Sequence, residues 1–501
     1  MYFIGIDIGT TNCKICLFKL PDFSLISKHS FKTPKIILEE TSDFDINKLW
    51  EGIENGLESI SKAVINPEEI INISIASIGE AGVLIDEYGN IRGPVMTWYD
   101  TRTKHISENI IAKIGMKEIY EITGLPAHSN YSLNKILWIK ENTEGSKNHY
   151  KWLCMSEFIA YKLTGIKKSE YSLASRTMAL DIKNKKWSDD LLKILSLNED
   201  IFSDLVSSGK EIGTLKNETA KKTNLSTKTT VSIGGHDHMC GSIAAGLYDE
   251  HSILNSTGTT EGLLFLQKNP GLGENFYNSN FSNGIHVLEN FYTIYSSLPS
   301  AGYSIEWFKN KFQISDEEFN IMIKNLYLKI SDKNYLPETN AIFIPHLRGS
   351  GPPRRSIKSQ ALFYGITENT TKEDLLLIIF QSLCFELKNL LESIEKLTSN
   401  KFKEIKVIGT ACKNELWMKL KSDILGKEIL SYEIDEAVSM GVAVLSAYKN
   451  NYIDDLSVIN NNLNIKKILP NKRISSYYEN IYENFYKPFY KLKMDIEKTT
   501  G

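Results

Sequence analysis

The chain begins with a stretch in which apolar residues surround a short polar turn, and the same pattern returns near its middle. The first copy is FIGIDIGTTNCKICLF, with its turn at Gly9-Thr10-Thr11, and the second is HSILNSTGTTEGLLFL, with its turn at Gly258-Thr259-Thr260. Apolar runs of this length on both sides of a turn predict a β-hairpin in each place. The copies lie about half the chain apart, which indicates one strand-turn-strand unit at the start of each half.

The rest of the chain alternates between two kinds of apolar pattern. Strand-like runs such as INISIASIG and AIFIPHL are followed by longer helix-like stretches such as EDLLLIIFQSLCFELKNLLESI. This alternation predicts an α/β fold built twice, with domains at 1–248 and 249–501 and a ligand site in the cleft between them. The stretch YYENIYENFYKPFYKLKM predicts a C-terminal helix from about residue 475, whose aromatic face packs in the core and which Pro488 kinks.

The composition is that of an ordinary soluble protein. The 501 residues are 42% hydrophobic and 24% charged, with a formal net charge of −3, which argues against binding to nucleic acid or to a membrane surface. The N-terminus has no basic, signal-like segment and the apolar runs are too short to span a bilayer, so we expect a cytoplasmic protein. A homodimer is the default expectation for such a chain.

The six cysteines do not suggest a disulfide framework. Cys13 and Cys16 have the C-x-x-C spacing of redox and zinc sites, but they lie in a predicted strand, where residues three apart point to opposite faces. We therefore expect both thiols to be packing groups.

The two Gly-Thr-Thr turns suggest a site for anions. Glycine allows a tight turn that brings backbone N–H groups near an anion and threonine adds hydroxyl donors, so two facing turns could hold a polyphosphate from both sides. Asp7 precedes the first turn, where the second copy has Ser256. A lone carboxylate in an apolar strand is costly to bury, and a Mg²⁺ ion bridging to phosphate would compensate that cost. The chain has no G-x-x-x-x-G-K-[ST] motif, so it is not a P-loop protein.

The stretch IGGHDHMCGSIAAG raises a choice between a metal cluster and another role for Asp237. Three consecutive residues do not all reach one ion from an ordinary backbone, so a transition-metal site is disfavoured. His236 is equally compatible with a role in a site and with a hydrogen bond in the core. Trp98 ends an apolar run, and packing is the favoured interpretation of its side chain.

The stretch GIDIGTTN resembles the first phosphate motif of the actin-like ATPase superfamily. Further motifs occur in the order found in the FGGY carbohydrate kinases: TWYDTRT, YKLTG followed by SLAS, GGHDHMCGSIAAGL, NSTGTTEG, AGYSIEWF, IGTACKNELWMKLKSDILGKEI and EAVSMGVAVLSAY. The resemblance covers about residues 3 to 450. It implies two actin-like (ribonuclease H-like) α/β domains around an interdomain active-site cleft, and ATP- and Mg²⁺-dependent transfer of the γ-phosphoryl group to a hydroxyl of a sugar or polyol.

The same resemblance implies the site residues. Asp237 falls at the position of the catalytic base and Asp7 at a position that reaches Mg²⁺. The residues implied to bind the sugar are Glu80, Asp100, Arg102, Asn130 and His238. The residues implied to bind ATP are Gly9, Thr10, Thr11, Asn12, Gly258, Thr259, Thr260, Gly302, Gly409, Thr410 and Asn414. Domain 1–248 would then carry the sugar site and the base, and domain 249–501 the nucleotide site.

Several positions depart from the family pattern. Gly79 and Asn130 stand where glycerol kinases have an arginine and a substrate-facing tyrosine, so glycerol is disfavoured. The Q-M-H-G stretch of xylulokinases is replaced by Gly79-Glu80-Ala81-Gly82, which argues against D-xylulose. Thr410 replaces a glycine of the adenosine motif, so the nucleotide preference is open. Asn414 is compatible with contacting adenine, with capping a helix, or with both.

We expect a kinase for a small sugar, with a pentulose or hexulose first and gluconate or a sugar alcohol as alternatives. A sugar- and ATP-binding regulator of the same fold without catalysis is a further alternative, although Asp7 and Asp237 are both retained. A chaperone is disfavoured, because the kinase-like motifs run to Ala447 and leave too little chain for a peptide-binding domain. Small differences in pocket geometry decide among sugars, so the sequence does not name the substrate.

Overall fold

The computed structural model describes residues 1–39, 41–143, 150–332, 334–336 and 341–500. In the first half of the chain the strands are β1 (Tyr2–Ile8), β2 (Asn12–Lys19), β3 (Ser24–Lys32), β4 (Lys35–Leu38), β5 (Thr41–Phe44), β6 (Ile70–Ser77), β7 (Gly82–Ile85), β8 (Lys151–Cys154), β9 (Ser169–Glu170), β10 (Leu180–Asp181), β11 (Lys186–Trp187), β12 (Leu205–Val206), β13 (Glu211–Thr214) and β14 (Thr230–His236). The helices there are α1 (Ile46–Ser61), α2 (Lys104–Ile114), α3 (Met116–Thr123), α4 (Ser132–Asn142), α5 (Met155–Thr164), α6 (Tyr171–Ala174), α7 (Asp189–Ile194), α8 (Asn217–Thr223) and α9 (Asp237–Ala244).

In the second half the strands are β15 (Ser252–Thr257), β16 (Glu261–Gln267), β17 (Ser282–Ile285), β18 (Tyr292–Leu298), β19 (Ile342–Ile344), β20 (Leu362–Tyr364), β21 (Glu404–Ile408), β22 (Glu428–Glu433) and β23 (Asn464–Ile468). The helices are α10 (Glu274–Asn278), α11 (Ala301–Phe312), α12 (Asp316–Ser331), α13 (Lys372–Thr398), α14 (Glu415–Leu425), α15 (Ala437–Lys449), α16 (Lys472–Ile481) and α17 (Lys487–Thr500). Short 3-10 segments lie at Pro67–Glu69, Glu199–Ile201, Thr410–Lys413 and Leu456–Asn462.

The N-terminal sheet has the strand order β13-β14-β6-β1-β2-β3. β1 and β2 form the predicted antiparallel hairpin, with Ile8 opposite Cys13 across the turn. β6 runs parallel to β1, and β14 runs parallel to β6. Residues 3–8 of β1 are all buried because the strand is covered on both faces: Ile4 lies in the core of this domain and Phe3 in a second core between the two halves.

The C-terminal sheet repeats this arrangement. Its order is β17-β18-β16-β15-β21-β22-β23, with the second predicted hairpin at its centre, where Thr257 pairs with Glu261. β21 and β22 continue the sheet in parallel with β15, as β6 and β14 do beside β1. The α/β fold built twice, in two actin-like halves, is therefore confirmed.

Helix α15 joins the two halves. It belongs to the second half, yet it packs against α9 and against the strand β1 of the first sheet. A Cβ atom on Gly441 would lie 1.9 Å from the carbonyl oxygen of Cys240, and a Cβ on Gly5 would lie 1.9 Å from that of Ser439. No side chain fits at such distances, so glycine lets these backbones touch. The apolar core around them draws on both halves: Phe18, Met239, Ile243, Leu254, Leu264, Val442 and Leu445.

The same helix completes the polar interior of the first sheet. Asn72 of β6 is fully buried, and its amide nitrogen donates to the hydroxyls of Thr230 and Ser232. Its Oδ1 accepts from Ser446 Oγ of α15 at 2.9 Å. The second half of the chain thus supplies a partner for a buried amide of the first sheet.

The cysteines are buried and free, with Cys13 in the N-terminal core and Cys16 in the core between the halves, as expected for opposite faces of β2. The C-terminal helix begins at Lys472, and its distortion is a π-turn at Tyr482–Tyr486. Pro488 lies directly after this π-turn, and the predicted kink at this residue stays a prediction. Of the helices in the described ranges, none combines the length and apolar character needed to cross a membrane.

Candidate active site

A cavity of about 170 Å³ lies between the two halves. The first half contributes Asp237, His238 and Gly241 of α9 to its walls, and the second contributes Ser256, Tyr295 and Val438. Ser256 belongs to β15, the strand that leads into the second Gly-Thr-Thr turn. The H-D-H segment and the second turn are therefore brought to one cleft.

Asp7 is buried at the end of β1. Burial, and then the negative charge of nearby Asp237, raise the pKa of Asp7 from 3.8 to about 7, although Lys14 acts in the opposite direction. Lys14 stands opposite Asp7 in the hairpin and pairs with Glu436 at 2.9 Å. The protein alone thus leaves the charge of Asp7 incompletely compensated. A carboxylate oxygen of this kind is a ligand that Mg²⁺ accepts.

Strand β14 ends at His236, and α9 begins at Asp237. The Asp237 carboxylate accepts from the backbone N–H of His238 at 2.6 Å and lies 2.9 Å from His236 Nδ1. Burial alone would raise the pKa of Asp237, but the two flanking histidines and these hydrogen bonds outweigh burial and lower it to about 2. A carboxylate at a helix N-terminus is stabilised further by the helix dipole, so Asp237 is ionised at neutral pH.

The two histidines surround this carboxylate from different sides. His236 caps α9, and its backbone N–H donates to Ser172 Oγ at 2.9 Å. The ring of His238 lines the cavity and lies 5.4 Å from the Tyr295 ring, and desolvation by the surrounding protein lowers its pKa. Among the described residues, one group of three or more acidic, histidine or cysteine side chains lies close enough to share an ion. It consists of Glu392, Glu479 and Glu483.

The first turn is held by bonds on both sides. Gly9 N–H donates to the Asn12 carbonyl at 3.1 Å, and Thr33 Oγ1 donates to the Gly9 carbonyl at 2.7 Å. Thr33 N–H also donates to the Thr11 carbonyl. Thr11 and Asn12 are exposed and Thr10 is half-buried, so the polar groups of this turn are accessible to solvent.

Trp98 does not pack in the core, and that interpretation is wrong. Its side chain is 40% exposed, and its indole N–H donates to Thr10 Oγ1 in the first turn at 3.0 Å. The apolar run that precedes Trp98 is buried, but the chain then turns out toward the cleft at residues 98–99. The W-x-D-x-R segment is thereby tied directly to the first turn.

The second turn has support from α11. Gly258 N–H donates to the Thr260 carbonyl at 2.9 Å, which closes the turn. The N–H groups of Gly302 and Tyr303 donate to the carbonyls of Gly258 and Thr259. A Cβ on Gly302 would lie 2.3 Å from the Gly258 carbonyl oxygen. Glycine at 302 is thus needed for α11 to begin against the turn.

A fully buried ion pair lies beneath the second turn. Lys421 Nζ of α14 contacts Glu261 Oε1 and Asn255 Oδ1 at 2.5 Å each, and Thr257 Oγ1 at 2.7 Å. All four side chains are buried. Because Thr257 and Glu261 flank the turn, this network fixes the turn to α14.

Helix α14 begins at the segment resembling the adenosine motif. Gly409 has a φ of +106°, and a Cβ there would lie 2.3 Å from the Thr257 carbonyl oxygen, so this position requires glycine. Thr410 follows it with an exposed side chain. Asn414 Oδ1 accepts from Trp417 N–H at 3.0 Å and caps α14. The capping role of Asn414 is thus present in the structure.

Glu80 is held at three points. It has a φ of +62°, which is unusual for a residue with a side chain. Its Oε1 accepts from Arg176 Nε at 2.7 Å and lies 2.6 Å from a terminal guanidinium nitrogen of Arg176. Its carbonyl accepts from Nζ of the fully buried Lys135 at 2.8 Å. The same Nζ donates to the Asn130 carbonyl at 2.6 Å, so one ammonium group positions two of the predicted sugar-binding residues.

Asp100 is enclosed and does not open into the cleft. Its carboxylate accepts from Ser42 N–H and from the guanidinium and backbone N–H of Arg102, and its side chain is fully buried. Arg102 also pairs with Asp43 at 2.6 Å. These residues thus fix the chain around Trp98. Of the other predicted sugar-binding residues, His238 lines the cavity, Asn130 is half-buried and Glu80 is buried. Asn130 itself is bonded through Oδ1 to His128 Nδ1 at 2.8 Å.

Two family models match the chain: "FGGY family of carbohydrate kinases, N-terminal domain" over residues 2–244 and "FGGY family of carbohydrate kinases, C-terminal domain" over residues 253–449. The chain belongs to the FGGY family of carbohydrate kinases. It is an ATP-dependent carbohydrate kinase that acts on small-molecule sugars.

Three relatives of this FGGY kinase show the spread of the family. The xylulose kinase of Staphylococcus xylosus is 28% identical over 455 residues, 89% of this chain and 90% of the relative. The crystal structure of gluconate kinase from Lactobacillus acidophilus has a TM-score of 0.86 at 20% identity, covering 98% of each chain. That of Plasmodium falciparum glycerol kinase with ADP has a TM-score of 0.85 at 19% identity, covering 97% of this chain and 98% of that one. The two structures show that the fold is shared.

Three charged residues that support the predicted site residues were not identified from the sequence motifs. Arg176 directly follows the SLAS stretch, Lys135 lies inside SLNKILWI, and Lys421 lies inside ELWMKLKSDILG. A lysine in an otherwise buried helix stretch was the available signal, since a buried ammonium needs partners. The partners themselves are far away in sequence and become visible only in the fold.

Proposed function

We propose that this kinase transfers the γ-phosphoryl group of ATP to a hydroxyl of a small sugar bound beside Asp237. The observation that carries the proposal is the ionised Asp237 carboxylate at the start of α9, across a cavity from the strand that leads into the second turn. Asp237 accepts the hydroxyl proton as the phosphoryl group moves in line. The loose transition state needs positioning and charge neutralisation more than a strong base, so a carboxylate of low pKa is adequate.

The two turns hold the phosphates of ATP from opposite sides in this proposal. Residues 9–12 act from domain 1–248 and residues 258–260 from domain 249–501, with Gly302 packed behind the latter. Gly409 and Thr410 lie toward the adenosine. Asn414 uses its Oδ1 for the helix cap, so its amide NH₂ is the group that remains for adenine.

Asp7 is proposed to hold Mg²⁺, directly or through water. The burial and the neighbouring Asp237 that raise its pKa to about 7 support this role, because they leave a carboxylate in need of a cation. When bound there, Mg²⁺ neutralises charge on the phosphates.

The sugar is proposed to lie among Glu80, Asn130 and His238. Glu80 Oε2 and the ring of His238 offer polar atoms to hydroxyl groups, while Asp100 and Arg102 hold the wall of the pocket. The relationship to the S. xylosus xylulose kinase supports a pentulose, and a hexulose is the next choice. Gluconate and sugar alcohols are the alternatives.

The test is coupled ADP release with a panel of ketopentoses, ketohexoses, aldonates and polyols. One of these compounds is expected to stimulate ADP release in the wild type, and Asp237→Asn is expected to lower kcat by roughly 10²–10⁴-fold. The Kd for ATP should stay unchanged. Asp200→Asn, on the surface of the same domain, is the matched control and should keep full activity.

Two outcomes would contradict the proposal. If Asp237→Asn turns over as fast as the wild type, this carboxylate is not the base. If none of the compounds stimulates ADP release while ATP and a sugar still bind, the chain is better described as a sugar-binding regulator.

A further inference from the structure

Three basic side chains around the proposed sugar pocket are already occupied by acceptors of the protein. Arg176 directs two of its N–H groups at Glu80 Oε1. Lys135 is fully buried and donates to two backbone carbonyls. Arg102 is shared between Asp100 and Asp43. Arg176 and Arg102 are thus neutralised by carboxylates of the protein, and Lys135 is engaged by carbonyls while burial lowers its pKa to about 7. None of the three is available to a carboxylate on the substrate.

The Arg176 side chain is fixed in this arrangement. It is only 12% exposed and Glu80 only 10%, and the guanidinium group packs over the Tyr131 ring at 5.3 Å. The backbone of Glu80 is fixed too, since its carbonyl is bound by Lys135 and its φ is +62°. Neither partner is therefore free to swing toward a ligand without breaking the pair.

The remaining charge of the pocket is negative. Asp237 is ionised and lies beside His236 and His238. Burial lowers the pKa of His238, which disfavours a compensating positive charge on this ring. The contacts of Glu80 with Arg176 use Oε1, which leaves Oε2 as an acceptor. Acceptors suit the hydroxyl groups of a neutral sugar, whereas they repel a carboxylate.

We propose that the Glu80–Arg176 ion pair makes this pocket selective for uncharged sugars over aldonates, with Arg176 as a specificity-determining residue. The inference rests on the proposed kinase function and narrows its substrate class. Ketoses and sugar alcohols fit the pocket, because each hydroxyl can donate to Glu80. Gluconate and other sugar acids do not, because the guanidinium group that would bind them is already occupied.

The test compares neutral and acidic sugars of equal length in the wild type. The probes are D-xylulose, L-xylulose, D-ribulose, L-ribulose and D-fructose against D-xylonate, D-ribonate and D-gluconate. The best neutral sugar is expected to exceed every aldonate in kcat/KM by roughly 100-fold or more, the range that like-charge contacts provide. An aldonate within tenfold of the best neutral sugar overturns the selectivity. Absence of ADP release with all eight compounds and with the polyols of the first panel would instead contradict the kinase proposal itself.

A substitution then tests whether the ion pair is the cause. Glu80→Gln keeps the size of the side chain but removes its charge, so Arg176 is released toward the ligand. We expect the ratio of neutral to acidic kcat/KM to fall by about tenfold or more. Glu54→Gln is the matched control, since Glu54 is also buried and paired at 2.6 Å, to Lys222, in the same domain. An unchanged ratio in folded Glu80→Gln overturns the role of the pair.

One further cation needs its own control. Arg355, in the exposed loop of the second half, is close enough for its charge to add to burial in lowering the pKa of His128. If the wild type does turn over an aldonate and Arg355→Ala abolishes that turnover, the acid is bound from across the cleft and the proposal is wrong. The selectivity in the wild type remains decisive even if Glu80→Gln does not fold.

Discussion

Two carboxylates of the cleft, Asp7 and Asp237, have pKa values displaced in opposite directions. Asp7 is buried near another negative charge, and its pKa rises to about 7. Asp237 is also desolvated, but the His238 N–H and the His236 ring hold its pKa at about 2. Environments that separate two carboxylates in this way are typical of sites where each has its own task. This separation supports the proposed roles, with Asp237 as the proton acceptor and Asp7 as the carboxylate that holds Mg²⁺.

The raised pKa of Asp7 makes a prediction about stability. Between pH 4 and pH 7 the folded protein holds a proton at Asp7 that the unfolded chain has released. The contribution of Asp7 to the free energy of unfolding therefore falls as the pH rises through this range. Above pH 7 the destabilisation by Asp7 is complete. Asp7→Asn should therefore unfold at higher denaturant than the wild type at pH 8, by roughly 1–4 kcal/mol. It should lose catalytic activity.

The pH dependence of this stability difference tests whether the raised pKa of Asp7 is its cause. The difference between Asp7→Asn and the wild type should shrink as the pH falls from 7 and disappear near pH 4, as followed by urea unfolding without nucleotide. A difference that is constant over this range would contradict the assignment of a raised pKa to Asp7.

At the scale of single elements, α14 and the second turn behave as one unit. The Lys421–Glu261 pair is fully enclosed and shares bonds with Asn255 and Thr257. A buried pair of this kind adds little compared with apolar packing, but removal of one partner leaves the other charge stranded. The turn that is proposed to hold phosphates of ATP therefore depends on a residue of helix α14.

Lys421→Met should accordingly destabilise the protein by about 3–5 kcal/mol in urea unfolding. Its KM for ATP should rise more than its KM for the sugar, because the second turn loses support. Lys186→Met is the control, since Lys186 and its partner Asp189 are both exposed and the loss of such a surface pair should change stability little. If the double variant Lys421→Met with Glu261→Gln recovers nothing, a stranded charge is not the reason.

The contact between α9 and α15 can be tested at two glycines, Gly241 in α9 and Gly441 in α15. In Gly441→Ala the new Cβ would lie 1.9 Å from the Cys240 carbonyl oxygen, so the helices must separate. We expect a loss of about 3 kcal/mol or more, or no soluble protein. In Gly241→Ala the nearest atom outside α9 would be a methyl carbon of Val438 at 3.4 Å, an ordinary contact, and thermal unfolding should change little. Equal behaviour of the two variants would show that the helices are free to adjust.

At the scale of the whole molecule, local patterns predicted a great deal. The hairpins, Asp7 and Asp237 belong to short stretches in which a turn or a strand end decides the position of each residue. The ion pairs were not predictable in this way. Lys135 reaches a carbonyl 55 residues away, and Lys421 reaches a carboxylate 160 residues away. Trp98 was misjudged because the apolar run before it is buried while its own backbone turns outward.

The packing of α15 on the first sheet predicts that the first half is not stable alone. A fragment of residues 1–248 would expose the apolar surface around Phe3 and Phe18 and would leave Asn72 without its Ser446 partner. We expect this fragment to aggregate, or to bind a dye for exposed apolar surface, when it is produced alone. Production together with residues 249–501 should restore soluble protein. A monomeric fragment with a cooperative unfolding transition would contradict this.

This position of α15 also bears on how the protein is made. Synthesis on the ribosome runs from the N-terminus, so β1 emerges well before its covering helix, at Ala437–Lys449. The face of the first sheet that packs against α15 stays uncovered until that helix has been made. During that interval the exposed apolar face is a surface that a ribosome-associated chaperone would shield. We therefore expect the half that is made first to be the one that depends on chaperones.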